Sequence, residues 1–143
     1  MAKATAKTLR DNFDDLLGAT SGSERRIVKI VESGLPVSAV ARLLQRGLSR
    51  REVFRVIIPE RTLKHRKSKR QPLSTQESER VVRTMRIMAR ANAVLGDDAS
   101  ALAWLRSPKN RFEGRAPIEM LATEPGGRLV EEMLIQIDEG MFA

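Results

Sequence analysis

Apolar residues recur along most of this chain at intervals of three and four, and single glycines, prolines and small polar residues cut the pattern into short pieces; this is the signature of amphipathic helices joined by tight turns. Leu9, Phe13, Leu16 and Leu17 predict a first helix stopped by Gly18, with residues 1–8 expected to fray. Ser23 is placed to cap a second, carrying Ile27, Ile30 and Val31 and ending at Gly34. Pro36 opens a third, with Val37, Val40, Ala41 and Leu44 on one side and Gly47 at its end. Ser49 and Glu52 then form a capping box ahead of Val53, Phe54 and Ile57. Ile58-Pro59 breaks that helix, and Pro59 suits the first position of the next.

A second capping box, Ser74 with Glu77, precedes the longest periodic stretch: Val81, Met85, Met88, Asn92 and Leu95, stopped by Gly96. Asn92 on that stripe reads as a satisfied buried amide, and the row Arg80, Arg83, Arg86 and Arg90 as a solvated or carboxylate-paired face. Asp97 and Asp98 stand before Ala99, Leu102, Ala103 and Leu105, where negative charge favours a helix start over a paired-carboxylate site. Trp104 falls on this helix as an expected core anchor. Pro117 starts a brief helix through Leu121, and Thr123 caps the last, which carries Leu129, Val130, Met133, Leu134 and Ile137 and stops at Gly140. The expectation is an all-α fold of about nine helical segments with no strands.

The basic Ser68 to Pro72 connection divides the chain. Residues 1–22 are expected as a variable or flexible segment, 23–72 as one domain and 73–143 as a second. Charge follows the same division. Residues 1–72 hold 17 basic and 7 acidic groups, whereas 73–143 hold 9 and 11. Between Arg46 and Arg70, ten lysines and arginines face two acids, an excess of +8 that equals the net charge of the whole chain. Two short helices joined by a tight turn, the second of them basic, describe a helix-turn-helix meeting a polyanion. Thr62 and Leu63 fall on the core side of that second helix, and Arg61, Lys64, His65 and Lys67 on the open side. The candidate DNA contacts are Ser49, Arg50, Arg51, Arg61, Thr62, Lys64, His65, Arg66, Lys67, Lys69 and Arg70. With four Phe, one Trp and no Tyr, a base-stacking platform is poorly supplied, so duplex DNA is the expected partner, read by a dimer.

Composition narrows the remaining classes. Without cysteine there is neither a disulfide framework nor thiolate chemistry, and a single histidine between two cations makes a poor general base. No Gly-rich phosphate loop is present, so neither an enzyme nor a metal or cofactor is expected. Apolar runs are far shorter than a membrane span, and MAKATAKTLRDNF lacks the apolar core of a secretory signal; the chain is read as cytosolic. Met141 and Phe142 are large apolar residues beyond a helix-stopping glycine, where docking on the protein's own core competes with binding a partner.

The stretch from Gln71 to Ala143 is similar to the toxin-binding domain of the Xre/MbcA/ParS antitoxins. The match lies in Leu73-Ser74, Glu77-Ser78 and Arg83, in Trp104-Leu105 before Pro108, in Gly114-Arg115-Ala116-Pro117, in Leu129-Val130, and in the closing Gly140-Met141-Phe142-Ala143. Upstream, PERTLKHRK resembles the same family's Xre-like helix-turn-helix, although Ile57-Ile58 stands where a glycine-containing turn is expected and His65 where arginine is commoner. The resemblance implies a type II antitoxin paired with a RES-domain toxin that consumes NAD or transfers ADP-ribose. It implies closure of the toxin's active site by the antitoxin's C-terminal end, repression of the promoter as part of the complex, and toxin contacts at Trp104, Arg115, Gly140, Met141, Phe142 and Ala143. A stand-alone helix-turn-helix repressor without a toxin is the competing expectation.

Overall fold

The computed structural model describes residues 4–140. Among them there are nine α-helices, one 3-10 turn and no strand: α1 (Ala6–Leu17), α2 (Glu24–Ser33), α3 (Ser38–Gln45), α4 (Arg50–Val56), α5 (Glu60–Ser68), α6 (Thr75–Leu95), α7 (Asp98–Arg106), α8 (Pro117–Met120) and α9 (Glu124–Asp138). The 3-10 turn, Asn110–Phe112, lies between α7 and α8. The all-α expectation holds.

Local chemistry sets most of the boundaries. Ser23, Ser49, Ser74, Asp97 and Thr123 each accept a backbone N–H from the first turn of the helix that follows. Both capping boxes form, with Glu52 and Glu77 each reaching back to the capping serine's N–H at 2.8 Å. Gly18 ends α1 in the left-handed region at φ 73°. Helix α1 begins earlier than its apolar spacing implies, because the Thr5 hydroxyl caps it by accepting from Thr8. It lies within the segment 1–22, and its Phe13, Leu16 and Leu17 are buried against the rest of the fold.

Helix α6 is the axis. It is 21 residues long and packs against α1, α2, α3, α7 and α9. Its buried surface therefore goes well beyond the expected stripe, taking in Val82, Thr84, Ile87, Ala89, Ala91 and Val94 as well as Val81, Met85 and Met88. A helix surrounded by neighbours must be apolar most of the way round. Asn92 is satisfied as expected, though half-buried rather than buried: its Oδ1 accepts from Asn12 Nδ2 at 3.1 Å and its Nδ2 donates to Asp98 at 2.7 Å.

Three faces differ from expectation. Helix α3 starts only after Val37, so Ala39, Val40 and Leu43 turn inward and Ala41 is exposed. In α7 Ala101, Leu102 and Leu105 are buried while Ala99 and Ala103 face out, since one side of this short helix meets α6 and α8. Helix α9 buries Val130 and Leu134 but leaves Leu129 48% exposed. No helix among the described residues is long and apolar enough to cross a membrane.

Candidate functional site

Helices α4 and α5 form the helix-turn-helix. The turn between them needs no glycine: Ile57 sits at φ −110° and Pro59 at φ −60°, both ordinary for their residue types. Ile57 and Ile58 fill the core beneath the turn, Ile58 N–H donates to Val53 O at 3.1 Å, and Arg80 of α6 donates to Ile57 O at 3.2 Å. Pro59 is the N-cap of α5, one position earlier than its sequence reading.

Leu63 anchors α5 in the core, with Thr62 half-buried beside it. Arg61, Lys64, His65, Lys67, Lys69 and Arg70 are all exposed. Lys64 is drawn to Glu60 on its own helix at 3.2 Å, a weak solvent-exposed pair that leaves the ammonium accessible. Arg50 lies 3.9 Å from the same Glu60 and 5.5 Å over the Phe54 ring, so it braces the start of the unit. Ser49 is occupied as the α4 cap. Arg70 takes φ 51°, in the left-handed region that closes α5.

Arg66 has a different task. Its Nε and Nη2 donate to the two oxygens of Glu77 at 3.1 and 3.2 Å, a fork that fastens α5 to α6. Burial by itself would raise the Glu77 carboxyl, but the Arg66 guanidinium with the Ser74 N–H and hydroxyl outweighs it and holds Glu77 below its ordinary value. A second fork joins the helix-turn-helix to α7. Arg106 donates to Glu52 at 2.9 and 2.8 Å and to Gly47 O at 2.7 Å, and this pairing holds the Glu52 carboxyl below the usual range. Glu52 and Arg106 are 54 residues apart, and nothing in the local sequence of either announces the pair.

The residues tied to toxin binding by resemblance are spread over the second half. Trp104 packs against the core as the expected anchor but is only half-buried, and Lys109 Nζ covers its ring 4.9 Å from the centroid. Burial pushes the Lys109 ammonium down. The same lysine's backbone N–H donates to Arg115 O at 3.1 Å, so one loop holds both positions. The Arg115 side chain, however, points elsewhere: it lines a cleft of about 460 Å³ with Ser49, Arg51 and Arg55 of the helix-turn-helix and Arg106 of α7. Arg55 was absent from the sequence candidates, although its i, i+4 relation to Arg51 marks the shared face. Gly140 follows α9 at φ 74°, exposed. Met141, Phe142 and Ala143 lie outside the described residues.

Comparison with known proteins agrees with both halves of this arrangement. A family model described as the antitoxin Xre-like helix-turn-helix domain matches residues 26–86, and one described as the antitoxin Xre/MbcA/ParS C-terminal toxin-binding domain matches residues 90–140. "Antitoxin Xre" of Pseudomonas putida is 43% identical over 110 residues, 77% of this chain and 69% of that protein. "Antitoxin Xre" of Yersinia enterocolitica is 28% identical over 120 residues, covering 82% and 81% of the two chains. "Prs ADP-ribosylating antitoxin" of a Sphingobium species is 33% identical over 91 residues, 57% of each. With its helix-turn-helix and toxin-binding domains in that order, the chain belongs to the Xre family of antitoxins.

Proposed function

We propose that this antitoxin neutralises a RES-domain toxin by closing the toxin's active site with its C-terminal end, and that as a homodimer it docks α5 on promoter DNA to regulate its own synthesis. In this reading residues 23–72 are the DNA-binding part, residues 73–143 the toxin-binding part, and the complex acts in the bacterial cytoplasm. The observation that carries the DNA half is the open face of α5. Arg61, Lys64, His65 and Lys67 of α5, and Lys69 and Arg70 just beyond it, all stand in solvent, while the remaining basic residue of the helix, Arg66, is spent on holding it in place. A helix docked in the major groove needs this combination of free donors and a rigid base. For the toxin half, the Gly140-Met141-Phe142-Ala143 motif supports a plug, and the name of the Sphingobium relative, an ADP-ribosylating antitoxin, speaks for a partner that handles ADP-ribose.

Deleting residues 140–143 separates a plug from a structural tail. A plug predicts a variant that keeps the wild-type melting temperature and DNA affinity but no longer restores growth to cells expressing the toxin encoded beside it. Phe142→Ala should show a milder loss, since an aromatic anchor is where interface energy concentrates. Full growth rescue by the deletion variant refutes the plug and moves inhibition to the surface around Trp104 and Leu129.

A further inference from the structure

We infer that the cleft between α4 and α8 is a phosphate site for the DNA backbone, so that Arg115, from the toxin-binding domain, contributes directly to DNA binding. The inference deepens the DNA-binding reading above and rests on it. The cleft is lined by Ser49, Arg51, Arg55, Arg106, Arg115 and Glu119 among others, and it also contains Glu52. Its two carboxylates are already committed. Glu52 takes the Arg106 fork and the Ser49 N–H, and Glu119 Oε2 accepts the Ala116 N–H at 3.1 Å. Arg51 and Arg55 meet no carboxylate among the described residues, and Arg115 makes a single 3.3 Å hydrogen bond, to Glu119 O, leaving most of its five donors free.

Four guanidinium groups against two carboxylates leave the concavity net positive, and Arg51, Arg55 and Arg115, which pair with neither carboxylate, repel one another and draw an incoming anion. Arginine's planar fork matches a phosphate or a carboxylate. Position favours phosphate. Arg51 and Arg55 belong to α4, the first helix of the unit, and in helix-turn-helix complexes that helix crosses the nucleic-acid backbone while the second enters the groove. A strand running past the start of α4 would meet Ser49 and Arg51 on one wall of the cleft and Arg115 on the other.

The test uses the full chain and a duplex spanning its own promoter, with affinity measured by anisotropy across a salt series for wild type, Arg115→Ala, Arg115→Lys, Arg51→Ala and Arg61→Ala. The proposal expects Arg115→Ala and Arg51→Ala each to lower the slope of log affinity against log salt by about 0.9. Affinity should fall roughly tenfold with each charge-assisted hydrogen bond lost. Arg115→Lys should retain the slope, keeping the charge if not the fork, and it guards against a folding effect of losing the bond to Glu119 O. Wild-type affinity and slope in Arg115→Ala, with Arg61→Ala impaired, overturns the cleft and leaves the α5 reading standing. If that variant instead loses growth rescue against the toxin, the cleft is a carboxylate clamp for protein and the proposal is equally overturned. A loss in Arg115→Ala with none in Arg61→Ala supports the cleft and refutes α5 as the groove helix.

Discussion

Arg70 sets backbone energy against function, and replacing it by glycine should move the two in opposite directions. The residue follows Lys69 at the end of α5 with φ 51°, and its position lets Arg70 N–H donate to Lys67 O at 3.2 Å and Gln71 N–H to Arg66 O at 2.9 Å. An L-residue in the left-handed region costs about 1–2 kcal/mol, and glycine escapes that penalty while losing roughly 0.5–1 kcal/mol more backbone entropy on folding. The net gain for Arg70→Gly is therefore about 1 kcal/mol, a rise of about 3 °C in melting temperature for a chain of this size. The side chain is exposed beside Lys67 and Lys69, so the same substitution removes a cation from the proposed DNA face and should lower the salt slope by about 0.9. Thermal melting and a salt titration of promoter binding read the two effects separately. Arg70→Asn, which tolerates the same φ without the charge, should bind DNA as weakly as the glycine variant, and Arg70→Lys should bind as wild type. A lower melting temperature for Arg70→Gly, or wild-type affinity and slope, would refute the reasoning.

Two further substitutions test the packing and the α5–α6 fastening. At Gly126 helix propensity favours alanine by about 1 kcal/mol, yet an added Cβ would lie 2.9 Å from Met120 C and 3.0 Å from Thr123 Oγ1, and nearer still to the Met120 carbonyl oxygen. Packing should win, because backbone must move by more than half an ångström, and Gly126→Ala is expected to lose about 2–3 kcal/mol in urea denaturation; unchanged or raised stability would show that α8 and α9 separate freely. Glu77 is held below its ordinary value of 4.5, so as pH falls past that value the unfolded chain takes up protons first and the stability the group contributes is lost on the way down to its folded pKa. Glu77→Gln should melt lower than wild type at pH 7 and show a flatter acid limb below pH 5, whereas an unchanged acid limb would mean the Arg66 fork contributes nothing.

What the sequence made legible was local. Ser49 with Glu52, Ser74 with Glu77, Thr123 before Pro125 and the glycine stops all act within one turn of the residues they control, so spacing alone locates them. The inward face of α3 was misread because Ala41 and Ala39 are equally plausible on a helix of eight residues, and only the neighbours α1, α4 and α6 select between them. Trp104 is legible as a core anchor, and it does pack against the core. Its partial exposure depends on Lys109, which a following loop brings over the ring. For the candidate site, the exposed face of α5 was readable from charge and period, but the withdrawal of Arg66 to Glu77 was not, since a charge count treats every arginine alike. The shared cleft was the least visible feature, because Arg51 and Arg115 were assigned to different partners and only the packing of α4 on α8 places them together.

The arginine row on α6 takes on a definite purpose once its partners are known. Arg80 holds the helix-turn-helix turn at Ile57 O, Arg83 bonds Leu121 O at the end of α8 and pairs with Glu79, and Arg86 reaches both oxygens of Glu24 on α2 at 2.8 Å while lying over the Phe13 ring of α1. Arg80, Arg83 and Arg86 each fasten a different element to one helix about 30 Å long. Glu77 adds α5 to the same axis through Arg66. Helix α5 and the end of α8 are thus fixed to one rod, and Arg106 with Glu52 separately joins α7 to α4. Arg80, Arg83 and Arg86 thus tie the turn before α5, the end of α8 and α2 to the same helix, through side chains whose spacing on the sequence suggested only a solvated or carboxylate-paired face.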